Sequence, residues 1–102
     1  PTYAELDELK NNYSSWTSVN SQNGRWFSGS ASYSSSVPQV FLPAAGCRGG
    51  DAGNALYRGF GGLYWSSGVN SVYAYSLQLG SSYPRMVDYP RAGGYSVRCV
   101  QE

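Results

Sequence analysis

The chain has 102 residues, a formal net charge of +1 and 13% charged residues, which is enough for one domain spanning residues 1–102. The arginines are scattered from Arg25 to Arg98 without forming a basic stripe, which argues against nucleic-acid binding through phosphates and against insertion or docking at a membrane. Hydrophobic residues make up 41% and aromatic residues 16%, which is too apolar a composition for a disordered segment.

Tyrosine dominates the aromatic residues, with 10 Tyr against 3 Phe and 3 Trp. A tyrosine side chain offers a flat apolar face and a polar tip with few torsions to fix, and paratopes combine it with Ser, Gly and Asn for that reason. The composition therefore favours a binding surface. The alternative is that a secreted β-rich protein uses these residues without a ligand.

A short amphipathic helix is predicted from residue 3 to residue 11. Thr2 is a candidate N-cap, and Glu5 three residues later completes a capping box. Leu6 and Leu9 follow at helical spacing. We expect this apolar stripe to pack into the core rather than to form a groove for a partner.

Three short strands are predicted in the first half of the chain. Residues 16–19 and 24–28 are two of them, and Asn23-Gly24 between them is a hairpin signal because both residues tolerate positive φ. Residues 28–36 are small and polar, which indicates a loop or a loose edge strand. Residues 40–42 indicate a buried strand bracketed by prolines.

The second half alternates between strands and long loops. Strands are predicted over residues 63–67, over 72–79, where the alternation is clearest, and over the closing segment 95–100. Residues 46–62 and 81–94 are predicted to be irregular loops, and loops of that length are usually functional. The fold class is therefore α+β, with one or two short helices, small antiparallel sheets and long irregular loops.

The residues required for common catalytic chemistry are missing. The chain has no His, so the usual base of a hydrolase triad is absent, and a tetrahedral zinc site would lack ligands. Asp51 and Asp88 lie in the two loops and are the remaining option for a catalytic pair or a calcium site, although no calcium-loop motif is present. We expect a non-catalytic protein with no cofactor and no metal.

The two cysteines, Cys47 and Cys99, are far apart in sequence. A disulfide between them would close a long loop, contribute roughly 4 kcal/mol and imply an oxidising compartment. Two buried free thiols are the alternative. The abrupt start at Pro1-Thr2 leads us to expect a mature product or a piece of a larger secreted protein.

Four motifs in order resemble a known family, and the opening Pro1-Thr2-x-Ala4-Glu5-x-x-x-Leu9 matches the start of that family as well. The motifs are Phe41-Leu42-Pro43-Ala44-Ala45-Gly46-Cys47-Arg48, Leu63-Tyr64-Trp65-Ser66-Ser67, Tyr73-Ala74-Tyr75-Ser76-Leu77 and Gly94-Tyr95-Ser96-Val97-Arg98-Cys99-Val100. Over essentially its whole length the chain resembles the Fibrobacter succinogenes major paralogous domain, which is common in secreted proteins of gut Bacteroidetes.

The resemblance implies a C-type-lectin-like fold, because that family is similar to it, and related domains serve as variable proteins of diversity-generating retroelements. It further implies that the helix and strands are framework and that the intervening loops form the ligand face. The calcium-coordinating sugar motifs of true C-type lectins are missing, since Trp65 is followed by Ser66-Ser67. The closely spaced cysteine pair of formylglycine-generating enzymes, which share the fold, is missing too.

The candidate binding residues are polar and aromatic side chains, together with one methionine, from the two long loops and one turn. They are Arg48, Asp51, Asn54, Tyr57, Arg58, Asn70, Tyr83, Met86, Asp88 and Tyr89. Plain solvent exposure is the alternative for each of them. Trp65 is expected in the core rather than in a ligand platform, and Arg98 is expected to pair internally.

The function expected from these observations is ligand binding or adhesion by a bacterial protein that is secreted or displayed at the cell surface. Its partners would be a protein or glycan ligand and other domains of a parent protein. The alternative is a structural module of a surface or fimbrial assembly that has no soluble ligand of its own.

Overall fold

The structure, a computed structural model, describes residues 1–29, 39–49, 55–91 and 93–100. Within these ranges the chain forms one helix, two three-stranded antiparallel sheets and a two-stranded ribbon. The elements are α1 (Tyr3–Lys10), β1 (Tyr13–Val19), β2 (Gln22–Ser28), β3 (Gln39–Pro43), β4 (Cys47–Arg48), β5 (Ala55–Leu56), β6 (Gly62–Asn70), β7 (Tyr73–Leu79) and β8 (Arg85–Pro90). The α+β class is confirmed.

Helix α1 begins as the sequence predicts. The backbone N–H of Glu5 donates to Oγ1 of Thr2 at 3.1 Å, and that hydroxyl donates to Oε1 of Glu5 at 3.1 Å. Leu6 is 5% exposed and Leu9 packs against the core, so the predicted apolar stripe is confirmed as core. The helix ends at Lys10, one residue earlier than expected.

The first sheet has the order β1-β2-β3, and its hairpin turn lies earlier than predicted. Val19 pairs with Gln22, so the turn is Asn20–Ser21, where both residues have positive φ as a two-residue hairpin turn requires. The predicted turn at Asn23-Gly24 is wrong, because both residues lie inside β2. The glycine serves a close approach instead: a Cβ there would lie 2.5 Å from the carbonyl oxygen of Leu42.

The second sheet has the order β6-β7-β8 and corrects the prediction of an irregular loop over 81–94. Strand β8 lies within that segment and pairs with β7 in antiparallel register. Its Met86 lies opposite the fully buried Leu77 and packs against the core, which anchors one side of the strand. The alternate side chains of β8, those of Arg85, Val87 and Tyr89, point to the opposite face of the sheet.

The predicted closing strand over 95–100 is wrong. Ser96 makes an isolated parallel bridge to Tyr64, Gly94 bridges to Arg48, and residues 97–100 have no regular secondary structure. Val100 instead lines a cavity on the helix side of the molecule, beside Leu9. The segment therefore leaves the edge of β6 after a single bridge.

The segment 46–62, predicted as an irregular loop, contains the ribbon. Cys47 pairs with Leu56 and Arg48 pairs with Ala55, so two parts of this segment are hydrogen-bonded to each other as antiparallel strands. The isolated bridge from Arg48 to Gly94 then places the ribbon beside the C-terminal segment.

The core lies where α1 and the two larger sheets meet. Side chains alternate along each strand of the second sheet, so one face of the sheet points into this core and the other face points away from it. The buried cluster comprises Leu6, Phe27, Leu42, Tyr64, Leu77 and Leu79. Within the described ranges no helix is long and apolar enough to cross a membrane.

Candidate functional site

The second sheet has a face that points away from the core, here called the outer face. Leu63, Gln78 and Arg85 form one cross-strand row on it, directly beside the core-facing row that contains Leu77. The ribbon β4-β5 and the C-terminal segment lie next to this face, as the bridge between Gly46 and Gly62 shows. The outer face and these two segments enclose a cavity.

This cavity, the central cleft, has a volume of about 400 Å³. Its walls come from segments that are distant in the chain: the ribbon, β6, β7, the end of β8 and the C-terminal segment. It is lined by Cys47, Arg48, Gly49, Leu56, Tyr57, Leu63, Gln78, Tyr89, Pro90, Gly93 and Tyr95. Three predicted binding residues, Arg48, Tyr57 and Tyr89, thus come together.

Tyr57 is held in an unusual backbone conformation at the rim of the cleft. Its φ is 61°, in the left-handed region that costs a non-glycine residue about 1–2 kcal/mol. The turn after it maintains this geometry, because the N–H groups of Phe60 and Gly61 donate to its carbonyl at 2.8 and 2.9 Å. Its side chain is 64% exposed. Unlike Asn20 and Ser21, whose positive φ belongs to a hairpin turn, Tyr57 adopts this conformation at the rim of a cavity, where strain can be part of a binding site.

Aromatic rings cover one end of the cleft. The rings of Trp65 and Tyr95 stack with centroids 4.1 Å apart, and Tyr89 meets Tyr95 edge-on at 6.2 Å. Trp65 is half-buried beneath this arrangement and so supports the cleft wall, rather than lying in the core as expected. Burial raises the pKa of Tyr95, with smaller contributions from Cys47 and Tyr89, so its hydroxyl stays protonated at neutral pH.

The cysteines do not form the predicted disulfide, because both carry free thiols in this structure. Cys47 is half-buried in the cleft, and burial raises the pKa of its thiol. Cys99 is exposed and lines a cavity on the helix side instead. Gly94 is held beside Arg48, the neighbour of Cys47, by an isolated bridge. Cys99 follows that glycine along the C-terminal segment, at up to about 16 Å of extended chain.

The polar groups of the cleft are those of a binding surface. Gln78 is half-buried and its Oε1 accepts from Nε of Arg85 at 3.1 Å, which fixes the amide on the outer face. Neighbouring Ser76 is fully buried on the same face, and its hydroxyl has no partner within the described residues. Hydroxyls, an amide and guanidinium groups can bind and orient a ligand, and the described lining contains no carboxylate for acid–base work.

The remaining predicted residues that the structure describes do not line the central cleft. Met86 packs against the core, and Asp88 shares the core-side face with Tyr75 and accepts from Nδ2 of Asn70 at 3.5 Å. Alternation along β8 places both side chains on the side of the strand that points away from the outer face. Exposed Arg58 lies on the turn beyond the cleft rim, and Tyr83 lines adjoining cavities. Asp51 and Asn54 lie outside the described residues.

Two smaller cavities continue the central cleft along the outer face. One of about 230 Å³ shares Tyr57 and Gln78 with it and reaches Ser82. The next, of about 330 Å³, shares Gln78 and Ser82 with the first and is bounded by Tyr83 and Arg85. The central cleft and these two cavities therefore adjoin one another at shared lining residues.

Arg25 was not predicted to matter, yet it fixes the far end of this surface. It is 5% exposed, and its Nη2 donates to the carbonyls of Gly80 at 3.0 Å and Ser82 at 2.6 Å. Its Nη1 donates to Oγ of Ser14 at 3.0 Å. The guanidinium therefore ties strand β2 to the loop that follows β7, and burial lowers its pKa.

Comparisons of the chain with protein-family models, with curated proteins and with solved structures found no match. The functional conclusion therefore rests on the geometry of the cleft.

Proposed function

We propose that this protein is a non-catalytic binding module whose ligand occupies the central cleft. The observation that carries the proposal is the convergence of Arg48, Tyr57 and Tyr89 with Gln78 and Tyr95 around one cavity of about 400 Å³. Cavities of this size with aromatic walls and a few fixed polar groups are the usual form of a ligand site. Tyrosines of this kind supply contact area at low entropic cost.

The experiment is a binding screen on an array of extracellular protein domains and of neutral and acidic oligosaccharides. Tyr57→Ala and Tyr89→Ala should each lose most of the captured signal, because truncation of a central tyrosine costs about 2 kcal/mol. Tyr73→Ala is the matched control, since Tyr73 is exposed on β7 and lines none of these cavities. Equal loss in the control, or unfolding of the cleft variants, would contradict the proposal.

We further propose that the domain has the C-type-lectin-like fold, belongs to the Fibrobacter succinogenes major paralogous domain family, and acts outside the cell as part of a parent protein. The sequence motifs support this assignment. With both cysteines free, the compartment is left to be tested by fractionation of the producing cells. Recovery of the protein only in the cytoplasm would refute the extracellular assignment.

We also propose that the codons of the binding residues are diversified by a retroelement. Strand β8 provides a test, because its side chains alternate between the outer face and the core. Val87 and Tyr89 lie on the outer face of the strand, whereas Met86 packs against the core. Sequencing the locus in sister cells should therefore show adenine-directed changes at codon 89 and none at codon 86. Sparse changes spread evenly over both faces would refute diversification while leaving the cleft untouched.

The alternative, a structural module of a larger assembly, is favoured by one observation. In the described part of the chain, β1 and β8 each have a strand partner on one side only. Such edges can accept a strand from another molecule. Assembly seen in non-denaturing electrophoresis, without capture on the array, would favour this alternative.

A further inference from the structure

Four of the seven lysines and arginines of this protein line one surface. The groove is defined here as the central cleft, its two adjoining cavities and a fourth cavity of about 500 Å³ that shares Tyr83 and Pro84 with the last of them. Arg48, Arg85, Arg25 and Lys10 line it in turn. None of the described residues that line the groove is an Asp or a Glu.

The described carboxylates lie elsewhere. Glu5 lines the cavity on the helix side, and Asp88 lies on the core-side face of β8. Asp7 binds Nζ of Lys10 at 2.8 Å, so the charge of this lysine is partly neutralised. The described lining of the groove therefore carries an excess of positive charge.

We propose that the ligand of this site is an acidic polysaccharide, bearing carboxylate or sulfate groups, that lies along the groove. This inference rests on the proposed function and names the chemistry of its ligand. Arg85 is exposed and reaches the ligand's anions directly. Arg25 is buried, so its permanent charge acts through a less polar medium and favours an anion at the far end of the groove.

The groups between the cations suit a sugar chain. Gln78, Ser81, Ser82 and the hydroxyls of Tyr57 and Tyr83 can exchange hydrogen bonds with ring hydroxyls. The exposed tyrosine faces offer flat apolar surface for the C–H faces of sugar rings.

The length and position of the groove favour an extended chain over a small anion or a peptide. Arg85 and Tyr89 bound different cavities and lie four residues apart on β8, which is about 13 Å along the strand. The side chains of Gln78, Arg85 and Tyr89 project into the groove from the outer face of the sheet, whereas a peptide that adds as a strand would pair with the backbone of an edge.

The test is a titration of the ¹⁵N-labelled wild-type chain, followed by amide and arginine Nε–Hε resonances. The probes are oligogalacturonate for carboxylates, dextran sulfate for sulfates and unmodified dextran as the neutral control. Addition of either acidic probe should shift the resonances of residues 78–85 and of the Arg25 side chain, and salt should weaken the effect. The probe that binds more tightly identifies the anion.

Arg85→Gln should weaken binding of the acidic probe about three- to fivefold, as expected for one exposed ionic contact. Arg98→Gln is the matched control, because Arg98 is exposed and lines the cavity on the helix side. An equal loss in both variants would overturn the proposal.

Binding of neutral dextran, poly-glutamate or oligothymidylate in the cleft with equal or higher affinity would overturn the acidic polysaccharide but leave the binding function standing. Absence of any cleft response to every probe, together with a silent array, would overturn both.

Discussion

Replacing Arg25 should lower the free energy of unfolding, because its guanidinium connects the first sheet to the loop after β7 that lines the groove. Arg25→Met keeps much of the side-chain length but removes the charge and its hydrogen bonds to Ser14, Gly80 and Ser82. Loss of the hydrogen bonds of a charged donor costs about 1.5–3 kcal/mol, because the groups that accepted them also lose their partner. For a chain of 102 residues that is a large share of a total of roughly 5–15 kcal/mol.

Urea unfolding followed by tryptophan fluorescence measures this loss. Ser14→Ala removes a single hydrogen bond from the same guanidinium and should cost about 1 kcal/mol. Arg25→Lys keeps the charge without the planar fork and should fall between the two variants. In hydrogen exchange, the amides of residues 80–82 should lose protection in Arg25→Met more than those of α1. If Arg25→Met costs no more than Ser14→Ala, the guanidinium does not hold the loop.

Three further predictions follow from single sites. At Tyr57, Gly should be more stable than Ala by about 1 kcal/mol in urea unfolding, because φ is positive there; the reverse order would refute the strained backbone. Under brief alkylation at pH 8, Cys99 should be labelled before Cys47, since burial raises the pKa of the Cys47 thiol; two unreactive cysteines with a mass lower by two hydrogens would restore the disulfide. Burial also raises the pKa of Tyr64, so its contribution to stability is complete below the unfolded value of about 10 and is lost at higher pH; Tyr64→Phe should show a smaller loss of stability between pH 9 and about 11.

The sequence predicted correctly the start of α1 and the position of β7, because both depend on residues that are neighbours in the chain. Thr2 and Glu5 located the start of α1, and the alternation of 72–79 located β7 within one residue. The hairpin was placed three residues too late, because Asn23-Gly24 is the stronger dipeptide signal. That glycine is required by the neighbouring strand β3, which no local window contains.

The candidate site was predictable only in part, because it is built from long-range pairing. Arg48, Tyr57 and Tyr89 were found from their loop positions and composition, but no local pattern indicates that Gln78 faces them. Arg25 is a similar case, since its role depends on carbonyls at Gly80 and Ser82, more than fifty residues away along the chain.

Strand β8 shows why a list of loop residues is not yet a site. Once Leu77 fixes Met86 in the core, the pleat places Asp88 on the same side as Met86 and turns Tyr89 toward the cleft. A slip of one residue would exchange these roles, so the buried methionine determines which neighbours a ligand can touch. The packing of β8 against the core and the exposure of Tyr89 to the cleft are therefore determined together by the register of one strand. The sequence alone predicts an irregular loop for this segment.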